Sequence, residues 1–136
     1  MSETSICIGA KATKKITVTR EKLACAVGSG SVEVFATPMV VALMESAAAE
    51  LAQSTLAEPY TTVGTMISID HTSPTVEGMT VTAEAELTGV EGRKYVFSVR
   101  AWDEAGPISQ GTHERVSVKK ESFLSKARQR GEGGGK

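Results

Sequence analysis

Residues Thr37–Leu56 read TPMVVALMESAAAELAQSTL. Apolar and small residues fall on nearly every side of a 3.6-residue period, which predicts a helix covered by more than one neighbour. Thr37 suits the N-cap, where a hydroxyl accepts from a free backbone N–H, and Pro38 suits the first helical position, where its missing donor costs nothing. One carboxylate, Glu45, lies in the first half, with Val41, Ala42, Ala48 and Ala49 three and four positions away. An unpaired ionised carboxylate in such surroundings costs on the order of several kcal/mol, so Glu45 is expected to be protonated, paired or opened to a small polar cavity. Chains keep such groups most readily where chemistry needs them. The competing reading is a side chain that reaches the helix's wet edge or bonds across a subunit interface.

Outward from the helix the period changes to two. Upstream, Lys14–Arg20 (KKITVTR) alternates as a short strand with Ile16 and Val18 on one side, and Leu23–Val32 (LACAVGSGSV) reads as a loop. Downstream, Gly64–His71 (GTMISIDH) sets Ile67, Ile69 and His71 on one face, with Met66, Ser68 and Asp70 on the other. Met79–Val90 turns Val81, Ala83, Ala85 and Leu87 inward. Arg93–Asp103 and Ile108–Lys119 follow, across turns at Glu91-Gly92 and Glu104–Pro107. Glu121–Arg130 forms a short amphipathic helix through Phe123, Leu124 and Ala127. Residues 1–130 are thus one domain and 131–136 a flexible tail.

One strand, one long apolar helix and four consecutive strands predict an α+β domain, with an antiparallel sheet curled around a central helix. A helix apolar all round cannot sit on a sheet with one face in water, so the sheet wraps it or a second subunit covers it.

At 136 residues the chain holds one domain with a proper core. A net charge of −1, with 23% charged residues, gives no footprint of a nucleic-acid binder. The distribution says more than the total. Residues 23 to 92 contain no Lys or Arg and nine Asp and Glu, whereas seven of the fifteen basic residues follow Gly111. Phosphates on a ligand would be met mainly by the N-terminal arm, by Arg93 and Lys94, or by the C-terminal stretch; otherwise these charges only solvate the surface. Cys7 and Cys25 form no CxxC, and there is no transmembrane run or signal-type apolar region, so a cytoplasmic protein without a disulfide framework is expected.

Three residues stand out by type and position: Thr37 at the helix start, Glu45 two turns in and His71 at the end of an inward-facing strand. A hydroxyl, an imidazole and a carboxylate are the parts of an acyl-transfer site. The competing reading of His71, beside Asp70, is a solvated residue before a turn. His71, His113 and Glu45 show no spacing typical of metal ligands, and no metal is expected.

At Glu33–Thr37, Leu43–Glu45, Gly64-Thr65, His71-Thr72, Val90–Arg93 and Gly111–Arg115, and in the spacing between these blocks, the chain resembles the hot-dog-fold thioesterases, and within them the fluoroacetyl-CoA thioesterase type. The resemblance implies a hot-dog fold and a catalytic set falling on Thr37, Glu45 and His71. The family's glycine that approaches the thioester falls on Gly64, and its last-strand arginine on Arg115. It further implies an acyl-CoA substrate, no separate cofactor, and a homodimer with the site at the subunit interface; whether dimers pair further into a tetramer is left open by the sequence. The fluoroacetyl-specific type has an aromatic lid before the helix; Gly28–Val32 (GSGSV) contains none, which implies a more open entrance. The expected reaction is hydrolysis of an acyl-CoA with a short or small acyl group. A hot-dog enoyl-CoA hydratase or dehydratase and a non-catalytic acyl-CoA binding module are the alternatives.

Overall fold

The structure, a computed structural model, describes residues 7–134. Five strands, β1 (Lys11–Thr17), β2 (Tyr60–His71), β3 (Thr80–Glu91), β4 (Lys94–Asp103) and β5 (Gly106–Lys119), form one antiparallel sheet in the order β1-β3-β4-β5-β2. Across it lies the long helix, numbered α2 (Thr37–Gln53); α1 (Ala24–Val27) is a single turn before it and α3 (Lys120–Gln129) follows β5.

Small side chains let helix and sheet approach closely. Ala47, Ala48 and Ala52 of α2 and Ala83, Ala85 and Ala101 of the sheet are fully buried, and Val40, Met44, Val81, Leu87 and Phe97 fill the space between them. The period-two reading of β3 holds residue for residue: Val81, Ala83, Ala85 and Leu87 are all inside. Ile67, Ile69 and His71 share the helix-facing side of β2, as expected.

Several boundaries differ from the sequence reading. β1 begins at Lys11 and ends at Thr17, with Ala12, Lys14 and Ile16 turned toward the helix and Val18 buried just beyond. The expected loop at 23–32 contains the α1 turn, closed by Gly28 at φ 82°. The long helix stops at Gln53 rather than Leu56, because Ser54 Oγ donates to the Leu51 carbonyl and Thr55 Oγ1 to that of Ala52, taking carbonyls the next turn would use. Thr37 is not the N-cap: Ala36 holds that position in an extended conformation, and no side chain caps the helix.

Nor is α2 covered on every side by its own sheet. Pro38, Ala42 and Ser46 remain exposed, a short stripe of small residues on a helix whose other face is sealed. Beside it β2 is an edge strand twelve residues long. After α3, residues 130–134 continue as one wide helical turn, and 135–136 of the expected tail lie outside the described residues. No described helix is long and apolar enough to cross a membrane.

Candidate active site

The first turn of α2 meets the last residue of β2. Thr37 Oγ1 lies 2.7 Å from His71 Nδ1, so the hydroxyl that could have capped the helix is engaged by an imidazole from the sheet instead. The strand end is held by its neighbour: His71 pairs with Ser109 on β5, whose Oγ donates to the Asp70 carbonyl at 2.7 Å. Burial lowers the His71 pKa below its ordinary value, with a Ser73 backbone hydrogen bond partly opposing it, so the ring is neutral at neutral pH. Its other nitrogen, Nε2, is buried and has no hydrogen-bond partner among the described residues.

A hydroxyl bonded to a neutral imidazole with a free second nitrogen is a ready acid–base pair. It opens on a cleft of about 320 Å³ whose walls include Val32, Phe35 and Pro74, with Ser29, Gly30 and Ser31 along the rim. The segment read as lacking an aromatic lid therefore does border this cleft, and it borders it with small residues.

Glu45 belongs to a second cluster. Its carboxylate is not sealed in the core; in one chain the side chain is 40% exposed, and Oε2 stands 3.7 Å from Arg115 Nη1. Of the outcomes expected for this group, pairing is the one found. Gly64 makes the room for it, since a Cβ built on Gly64 would lie 2.5 Å from Glu45 Oε2 and 3.3 Å from Arg115 Nη1. A β-bulge between Gly64 and Met66 re-aims the strand at this point.

Behind Glu45 the guanidinium is clamped. Arg115 Nε donates to Thr62 Oγ1 at 2.9 Å and Nη2 to the Thr62 carbonyl at 3.1 Å, while Nη1 reaches His113 Nε2 at 3.2 Å. His113 is fully buried, stacked on Phe97, and its Nδ1 lies 2.8 Å from the Met66 carbonyl. A carbonyl only accepts, so Nδ1 carries the proton and Nε2 is left to accept from Arg115. Burial, with the Arg115 charge adding to it, lowers the His113 pKa and keeps the ring neutral.

His113 is thus the residue whose part in the site was missed. Its signal was present: in Gly111–Arg115 the period of two puts His113 and Arg115 on one face. The two histidines are committed to different partners, and no group of three or more potential metal ligands occurs among the described residues.

The structure therefore brings Thr37 to His71, and Glu45 to Gly64 and Arg115, but does not join the two clusters within one chain. Eight residues of helix separate Thr37 from Glu45, about 12 Å along the axis.

A sequence profile for the fluoroacetyl-CoA-specific thioesterase family matches residues 18–121. The fluoroacetyl-CoA thioesterase of Streptantibioticus cattleyicolor is 43% identical over 98 residues, covering 72% of this chain and 70% of that protein. A solved structure of a fluoroacetyl-CoA thioesterase superposes with a TM-score of 0.88 at 34% identity, covering 93% of this chain and 98% of the other. A thioesterase superfamily member from Thermus thermophilus gives 0.87 at 28% identity, with 94% and 95% covered.

Proposed function

The chain belongs to the fluoroacetyl-CoA-specific thioesterase family and is an acyl-CoA thioesterase of the hot-dog fold, and we propose that Thr37, Glu45 and His71 carry the hydrolysis. The substrate class is an acyl-CoA with a small acyl group, of the kind the relatives' names describe; the products are the free acid and coenzyme A. The observation that carries the assignment of roles is the 2.7 Å contact between Thr37 and His71 at the wall of the cleft.

Glu45 acts on the carbonyl carbon, as nucleophile or as base for water, while Thr37 and the Gly64 backbone N–H position the thioester and stabilise the oxyanion. His71 moves the proton, which ends on the departing thiolate as the C–S bond breaks. Arg115, 3.7 Å away, pairs with the Glu45 carboxylate and holds it in place, and Gly64 leaves the space through which the thioester reaches it. Oxygen-18 from solvent, under single turnover, tests the two roles of Glu45: label incorporated into Glu45 requires that Glu45 attacked and that water then opened the anhydride at the Glu45 carbonyl, while trapping of an acyl-Glu45 anhydride with hydroxylamine detects the same intermediate when water opens it at the acyl side.

The 12 Å between the clusters is bridged in this proposal by a homodimer, in which Glu45 of one protomer serves Thr37 and His71 of its partner. The small-residue stripe of α2 and the unpaired edge of β2 support that reading, since both present surface that a second copy would cover. A cytoplasmic location, where acyl-CoA is met, belongs to the same proposal. Thiol release from a panel running from acetyl-CoA and fluoroacetyl-CoA to longer and aromatic acyl-CoAs tests it. Release that vanishes in Glu45→Ala supports the proposed roles; hydration of an enoyl-CoA without thiol release would overturn it.

A further inference from the structure

Among the described residues, His113 alone of the titratable side chains has no exposure to solvent, and the hydrolytic steps above do not use it. We propose that His113 is a positioning residue for the reaction, whose Nε2 accepts from Arg115 and so fixes the guanidinium where it pairs with Glu45. The inference rests on the reading of Glu45 as the group that acts on the thioester, and on three observations for His113 itself.

Packing gives the first, because it does not call for an imidazole here. His113 continues the Tyr95–Phe97 stack, with ring centroids 6.4 Å apart in the first pair and 5.9 Å in the second. A third apolar ring would extend that stack, whereas burying two ring nitrogens is costly unless each finds a partner. Both do: Nδ1 donates to the Met66 carbonyl at 2.8 Å, and Nε2 accepts from Arg115 Nη1 at 3.2 Å. The position therefore uses the polarity of the ring rather than its bulk.

The second is where those two bonds lead. Met66 closes the β-bulge of β2 that begins at Gly64, and Thr65 Oγ1 donates to the Glu114 carbonyl of β5 at 3.2 Å. A Cβ built on Gly64 would lie 3.3 Å from His113 Cε1. One ring thus touches the bulge, the open space at Gly64 and the arginine that pairs with Glu45.

The donors of Arg115 supply the third. Nε and Nη2 go to Thr62 and Nη1 to His113, all uncharged acceptors, and the only carboxylate within ion-pair distance among the described residues is Glu45, at 3.7 Å. A carboxylate in place of His113 would anchor the guanidinium but also neutralise it. Uncharged acceptors anchor it and leave its charge directed at Glu45. At 3.7 Å that pairing restrains the carboxylate without a short bidentate bond, so its oxygens stay open to a thioester or a water. The arrangement needs the proton on Nδ1, since a proton on Nε2 would turn a donor toward a donor. Burial, which disfavours the imidazolium, acts in the same direction.

Asparagine places an amide nitrogen near the ring's Nδ1 and glutamine an amide oxygen near its Nε2, so two variants of the full chain divide the bonds. His113→Asn keeps the Met66 bond and loses Arg115; His113→Gln does the reverse. Under steady-state thiol release, His113→Asn is expected to lower kcat about tenfold or more with KM changed less than about threefold, and His113→Gln to stay within about threefold of the unmodified kcat. With Arg115→Ala already present, His113→Asn should cost less than about twofold more, because the residue acts through the arginine. Nitrogen-15 shifts read the tautomer without any change at His113: the chain has two histidines, and the ring signals that persist in His71→Ala are those of His113. The proton is expected on Nδ1, and a proton on Nε2 would overturn the proposal whether or not the His113 variants fold. So would equal kcat losses in His113→Asn and His113→Gln, or a loss that adds in full to that of Arg115→Ala, and each of these would leave the thioesterase reading standing. Thiol release by Glu45→Ala at the unmodified rate would instead overturn the reading of Glu45 and this inference with it.

Discussion

Thr37 Oγ1 and His71 Nδ1 are 2.7 Å apart, a contact between residues 34 positions apart that ties the start of the central helix to the end of an edge strand. Because Ala36 occupies the N-cap, the Thr37 hydroxyl is free of any structural duty in the helix. Thr37→Val keeps the shape and removes the bond. It is expected to lower kcat by about 10²-fold, in the range of a lost acid–base or oxyanion contact, while the melting temperature shifts by less than that for a lost cap. Thr37→Ser should keep most of the activity. Thiol-release kinetics with thermal melts of both variants check this.

Gly64 and Gly111 both approach their neighbours closely, yet alanine should affect them differently. At Gly64 the nearest atom is Oε2 of Glu45, the tip of a flexible, part-exposed side chain that can swing aside, with Arg115 Nη1 and His113 Cε1 next at 3.3 Å. Gly64→Ala is therefore expected to fold and to lose activity by about tenfold or more, because the displaced atom is the proposed catalytic carboxylate. At Gly111 a Cβ would lie 2.0 Å from the Ser68 carbonyl oxygen and 2.7 Å from Ile69 Cα, which are backbone of the paired strand. Gly111→Ala should destabilise the fold by about 2–4 kcal/mol, as overpacking with backbone displacement does. Urea unfolding of the pair separates the two effects.

The pH dependence of the rate follows from His71. Its pKa in the folded chain lies below the ordinary 6.5 because burial disfavours the imidazolium. The neutral ring that accepts a proton therefore persists through neutral pH and is lost only in acid. The acid limb of kcat/KM is expected below pH 6.5; a limb centred above that value would show that another group controls the step.

His113 sets a pH dependence of stability. Its folded pKa is depressed, so its contribution is fully present above the ordinary value of 6.5 and is lost as pH falls through that value toward the folded pKa, where the unfolded chain binds the proton first. Melting temperature should drop over this interval in the unmodified protein. His113→Gln removes this titration and should lessen the drop, leaving the part that the likewise depressed His71 contributes. An equal drop in both would remove His113 as its cause.

Sequence patterns carried much of this architecture because β3 and the helix-facing side of β2 alternate cleanly, and because α2 holds seventeen residues of helical spacing. What was not legible is non-local. Nothing near Thr37 shows that its hydroxyl goes to His71 rather than to the helix backbone, and the neighbours of Glu45 within α2 give no hint of Arg115, seventy positions on. β1 escaped at its start since Lys11, Ala12 and Thr13 bury too little apolar surface to mark a strand. The α1 turn is only four residues long and merges with the Gly and Ser that follow. The candidate residues themselves were named from the sequence, chiefly through the family resemblance at their blocks; the clamp of Thr62 and His113 on Arg115 required the strands to be paired.

Subunit complementation tests the central claim most directly, that Glu45 and the Thr37–His71 pair form one acyl-CoA hydrolysing site across a dimer. Glu45→Ala and His71→Ala are made separately, shown to release no thiol, then mixed, unfolded and refolded together. Random pairing makes half of the dimers mixed, and each mixed dimer keeps one intact site of two, so about a quarter of the unmutated activity should return, the statistical ceiling for a two-fold symmetric pair. No return of activity from a mixture that refolds into dimers would contradict the account.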